Sequence, residues 1–192
     1  MGSAGVGVTA RVALAVTENS ELIGLVQALA ALERQDLPEH ALIGGVAVMT
    51  RLAQAHRVTL DVDQVLRETV PSTVDVLVAR QAAQRVGSHV ELPGGVRWDV
   101  IPTLERPLEE GDLPEDDADR LFLLAHEWAL VSAELVELSV HVAGAKKPAA
   151  LATLPVATTP ALFVAKLQAA PAASPSNAGQ SGPSAHRALA GS

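Results

Sequence analysis

The chain has 192 residues and a formal net charge of −8, with 48% hydrophobic but only 2% aromatic residues. That length is enough to bury one substantial core, and the acidic balance argues against a broad, sequence-blind nucleic-acid surface. There are no cysteines, which excludes disulfides, thiol catalysis and Cys-ligated zinc.

Residues 1–18 are rich in Gly, Ala and Val and read as a flexible N-terminus, with a short candidate strand at Val12–Val16. No basic region precedes the first apolar run, which makes it a poor signal peptide. Residues 20–35 place Leu22, Leu25, Leu29 and Leu32 at three-to-four spacing behind a Ser20 cap. This predicts an amphipathic helix, ended by Pro38.

The stretch 41–63 carries the chemistry. It reads as a strand at Ala41–Ile43, a Gly44-Gly45 turn, a helix of about three turns, and a second strand ending in Asp61-Val62-Asp63. Side chains alternate along a strand, so Asp61 and Asp63 share a face while Val62 points to the core. Two carboxylates side by side repel unless something positive sits between them, and a hard divalent cation such as Mg²⁺ takes such oxygen ligands. Gly44 and Gly45 have no side chains, so a phosphate chain has access to backbone N–H groups at the start of the helix.

Residues 72–87 predict a helix capped by Ser72 and closed by Gly87. His89–Leu92 and Val96–Ile101, joined by Pro93-Gly94-Gly95, read as a hairpin. Its second strand sets Val96, Trp98 and Val100 on one face and Arg97, Asp99 and Ile101 on the other. The acidic residues between Glu105 and Asp119 read as a solvated segment, or as a place where a basic partner docks. Asp116–Ala133 predicts an apolar helix carrying Trp128 and His126, the latter as a core or boundary histidine. Leu135–Val142 alternates as a strand.

Between Lys147 and Lys166 lie 18 uncharged residues, broken by Pro148, Pro155 and Pro160. This is loop, short strand and helix start rather than a membrane span, and the chain is expected in the cytoplasm. Residues 170–192, rich in Pro, Ser, Gly and Ala, read as a flexible tail.

The Gly-Gly turn followed by Asp-x-Asp resembles the nucleotidyltransferase fold of the DNA polymerase β superfamily. Arg57-x-Thr59-x-Asp61-Val62-Asp63 looks most like its AbiEii branch, the toxin half of type IV toxin–antitoxin pairs. The resemblance implies an α/β nucleotidyltransferase domain over 19–169, with a short mixed sheet and helices packed on it. It implies two Mg²⁺ ions held by Asp61, Asp63 and Asp99, the last in the position of the superfamily's third carboxylate. Gly44 and Gly45 would hold the β- and γ-phosphates. Residues 155–169 resemble a family segment bearing a lysine, onto which Lys166 falls; by itself Lys166 also reads as a snorkelling surface lysine. Arg57 reads equally as a surface charge or as a contact to the triphosphate.

The implied reaction moves a nucleoside monophosphate from a nucleoside triphosphate to an acceptor hydroxyl. For the AbiEii-like toxins that acceptor is RNA, a tRNA 3′ end, and a cognate antitoxin is the implied protein partner. No DNA or membrane partner is expected. Related chains continue into a further helix beyond the point where this sequence stops, at Ser192. The alternative is therefore a catalytically inactive member acting through a protein partner.

Overall fold

A computed structural model describes residues 7–17, 20–54 and 61–168. In chain order the elements are β1 (Ala10–Val16), α1 (Glu21–Glu33), β2 (His40–Ile43), α2 (Gly44–Leu52), β3 (Asp61–Arg67), α3 (Thr73–Ala79), β4 (Gln84–Val86), β5 (His89–Leu92), β6 (Val96–Thr103), α4 (Asp117–Val131), β7 (Glu134–Val142), β8 (Ala150–Val156) and α5 (Thr159–Gln168). The strands form one mixed sheet in the order β1-β7-β8-β2-β3-β6-β5-β4. β1 with β7, β8 with β2 and β3 with β6 are parallel; the other neighbours are antiparallel. The fold is thus the mixed α/β one expected, with a sheet of eight strands rather than a short one.

Register decides which helix covers which face. His40 sits opposite Leu66 and meets Glu33 of α1, with His40 Nε2 3.0 Å from Glu33 Oε1. Arg67, the next residue along β3, points to the other face and meets Glu127 of α4. α1 therefore covers one face, burying Leu22, Leu25, Val26, Leu29 and Leu32 largely against β8. At roughly 1.5–3 kcal/mol per large apolar side chain, that stripe is a main stabiliser of the sheet. α4 packs on α5, and α5 on α2, over the opposite face.

Three expectations are corrected. Within residues 1–18, expected to be flexible apart from a short strand at Val12–Val16, the strand is longer, running as β1 over Ala10–Val16 and paired along its length with β7. The helix expected over 72–87 stops at Ala79, because Gln81 adopts a left-handed φ of 60° and ends it. Gln84–Val86 then extends as β4 against β5, with Gly87 in the tight turn between them. The strand expected to end in Asp61-Val62-Asp63 instead spans Asp61–Arg67, so the two acids lie at its start. Among the described residues, no helix is long and apolar enough to cross a membrane.

Candidate active site

Three central strands bring the carboxylates together. Ile43, Asp63 and Asp99 lie in one row across β2, β3 and β6, and Asp61 pairs with Arg97 in the next row on the same face. The result is a two-by-two block of three acids and one guanidinium. Further along this face of β3, Val65 and Arg67 are buried, beneath the reach of α4. Asp63 is half-buried and Asp61 exposed, so the block occupies the open end of the strand.

α2 closes one side of it. Ile43 offers α2 no side-chain cap; the carboxylate of Asp63 does so from the neighbouring strand, accepting a hydrogen bond from the Gly45 N–H. A carboxylate at a helix N-terminus satisfies a donor left over by the helix and meets the positive end of its dipole. Gly44 makes this approach possible. Its φ is +67°, and a Cβ there would overlap the Asp63 carboxyl. The far end of α2 is pinned by Arg51, whose Nη2 donates to the Val156 carbonyl at 2.7 Å and whose Nη1 donates to Glu134 Oε2 at 2.7 Å.

The electrostatics centre on Asp63. Burial first, then the charges of Asp99 and Asp61, push its carboxyl above the usual range, against the Gly45 N–H and Arg97. Arg97 Nε lies 3.1 Å from Asp99 Oδ1. On the opposite face of the same strands, Trp98 Nε1 donates to Gln64 Oε1 at 2.9 Å, bracing β3 to β6 directly beneath the block. Both side chains are fully buried, and Gln64 Nε2 has no hydrogen-bond partner among the described residues.

The donor set fits a hard divalent cation: it is all oxygen, and positive charge would relieve the burden on Asp63. It is not closed as it stands. Among the described residues no three acidic or histidine side chains converge tightly enough to enclose a metal, and Arg97 engages Asp99. A cation at the block would compete with Arg97 for Asp99.

Asp61, Asp63, Asp99, Gly44 and Gly45 are therefore gathered at one place. The amide of Gly45, expected to be open to phosphate, is engaged by Asp63. Lys166 is exposed in the last turn of α5, a helix that packs on α2. Arg57 lies outside the described residues. The sequence pattern alone assigns no role to Arg97, Gln64 or Arg51. Arg97 was findable, being two residues from Asp99 and so on its face; Gln64 and Arg51 act through partners 34 to 106 residues away.

A separate cleft of about 360 Å³ lies between α3 and β5–β6, lined by Thr73, Arg85, Val90, Trp98, Val100 and Pro102. Arg67 and Asp99 line it as well.

No protein-family model and no curated protein matches the chain. Among solved structures it is similar to that of the antibiotic-resistance factor ANT(2'')-Ia, with a TM-score of 0.35 and 15% identity over 77% of this chain and 82% of that one. A superposition that loose leaves the reading of the site to its own geometry.

Proposed function

We propose that this protein is a nucleotidyltransferase that moves a nucleoside monophosphate from a nucleoside triphosphate to an acceptor hydroxyl. The observation that carries the reading is the seating of Asp63 against Gly44 and Gly45, in register with Asp99 and one row from Asp61. It joins a helix N-terminus to a block of three acids and one guanidinium.

In this reading Asp61, Asp63 and Asp99 hold Mg²⁺, two ions in all. Bound Mg²⁺ supplies charge neutralisation at the α-phosphate and leaving group and lowers the pKa of a coordinated hydroxyl. The acceptor oxygen forms a bond to the α-phosphorus, the α–β bridging P–O bond breaks, and pyrophosphate leaves. Asp99 takes the hydroxyl proton. Gly44 lets the triphosphate approach the backbone without a side chain in the way, and the Gly45 N–H passes from Asp63 to a phosphate oxygen. Lys166 and Arg57 supply point charges toward the triphosphate. The acceptor is RNA, a tRNA 3′ end, the partner a cognate antitoxin and the compartment the cytoplasm. That part rests on the wording Arg57-x-Thr59-x-Asp61-Val62-Asp63 alone.

The test is incubation with each α-³²P nucleoside triphosphate, Mg²⁺ and total RNA or protein, beside Asp61→Ala and Asp63→Ala. Label transferred by the parent and lost in both variants supports the reading and identifies the acceptor class. Nucleotide binding without transfer makes the chain an inactive member that works through a partner. No transfer and no binding refutes the site.

A further inference from the structure

α4 carries two faces with opposite fates. Ala125, Ala129 and Leu130 are buried in the core, whereas Leu121, Leu124, Trp128 and Val131 are exposed. Their spacing, three then four then three, is the a/d pattern of a helix seam built to receive another helix. The seam continues sideways. α5 packs on α4 and exposes Phe163 and Leu167; α2 packs on α5 and exposes Val48 and Leu52.

These eight side chains are 40–64% exposed. At roughly 200 Å² for a large side chain, they present on the order of 800 Å² of apolar surface. That is more than a typical monomer leaves in one patch, about 300–600 Å². It equals the roughly 800 Å² per partner of a standard interface.

We propose that this surface is a homodimer interface in which α4 packs antiparallel against α4 of a second copy. The symmetry of the stripe selects that occupant, because it is complementary to itself. An antiparallel two-fold through the level of residue 126 sets Leu124 against the copy's Trp128 and Leu121 against its Val131, a smaller side chain meeting a larger one in each layer. The same two-fold holds the acidic N-terminal turns of the helices, with Asp116, Asp117 and Asp119, at opposite ends of the interface. Two chains of charge −8 thereby meet with their acidic turns held apart.

Sedimentation velocity without nucleotide or metal tests this independently of any enzymatic activity. The full chain should sediment at twice its 19.9 kDa mass at micromolar concentrations. Leu124→Glu and Val131→Glu should each sediment as monomers with unchanged circular dichroism, since both side chains are exposed in the single chain. Trp128→Ala should weaken association by about thirtyfold, as for a central aromatic anchor. A monomeric parent at ~100 µM, far above the Kd of interfaces this size, overturns the proposal and leaves the seam to a different polypeptide. A dimer indifferent to both glutamate variants overturns it equally, by placing the interface elsewhere.

Discussion

Asp63→Asn should stabilise this protein at neutral pH while abolishing transfer. Asparagine has the same shape, and its Oδ1 keeps the hydrogen bond from the Gly45 N–H, so what is lost is charge. A strand spacing of about 4.8 Å puts the Asp63–Asp99 repulsion at about 1 kcal/mol in water and about 3 at an effective dielectric near 20. Asp61 repels and Arg97 attracts from the adjoining row, and the two largely offset. The helix N-terminus returns roughly 0.3–1 kcal/mol for the charge. The variant should therefore gain about 1–2 kcal/mol, or roughly 3–6 °C in Tm for a domain of this size. The sign of the pH dependence follows from linkage: an acid whose folded pKa is raised costs stability as pH rises from the ordinary carboxylate range through the raised value. The gap should thus be full at neutral pH and close as pH falls to about 4 or below. Thermal melts from pH 4 to 8 measure it. A variant no more stable than the parent at pH 7, or a gap that persists in acid, refutes the account.

Gly44→Ala should cost about 1–2 kcal/mol for the left-handed φ alone and displace the Asp63 carboxyl, read together as a lower Tm and lost label transfer. Glu127→Ala should cost about 3–5 kcal/mol in urea denaturation by leaving Arg67 buried without its bidentate partner; the double variant with Arg67→Met should recover most of it. Trp98→Phe leaves buried Gln64 with no partner on either atom, so about 1–3 kcal/mol should be lost. His40 is opposed by its own burial, but the hydrogen bond and charge of Glu33 outweigh this and raise its pKa. Its pairing therefore contributes fully below the ordinary histidine range and fades as pH rises through the raised value, and Glu33→Gln should flatten that part of the pH–Tm profile.

The two-residue period makes the carboxylate face legible in the sequence, since Asp61, Asp63, Arg97 and Asp99 alternate along their strands. Their registry is not legible there. That Asp63 would face Asp99, rather than a residue two positions away, depends on how β3 and β6 slide, and the Trp98–Gln64 bond beneath them helps fix it. The helix error at 80–87 has a similar origin. Local propensity favoured continuing the helix, but β4 forms because β5 offers an unpaired edge, which is information from outside the segment. The exposed seam on α4 was equally hidden, since periodicity shows where apolar residues recur and not which stripe the core takes.

One face of β3 treats its charges in two ways. Arg67 is buried and fully engaged, with Nη1 2.6 Å and Nη2 2.8 Å from Glu127 and Nε 2.8 Å from Glu39. Four residues earlier, Asp63 has two acids among its neighbours, set against the Gly45 N–H and a guanidinium already engaged with Asp99. Each nitrogen of Arg67 has an acceptor, whereas at Asp63 burial and like charge outweigh the opposing groups among the described residues, an imbalance that a bound cation would offset. Mg²⁺ should then raise the Tm of the parent, reversibly with chelator. At ten times its Kd the gain is about 1.4 kcal/mol. Asp63→Asn should show no such gain. Arg97→Ala should bind Mg²⁺ more tightly, because the competing cation on Asp99 is gone. Equal Mg²⁺ response in the parent and Asp63→Asn, or weaker binding in Arg97→Ala, means that Arg97 itself completes the cluster.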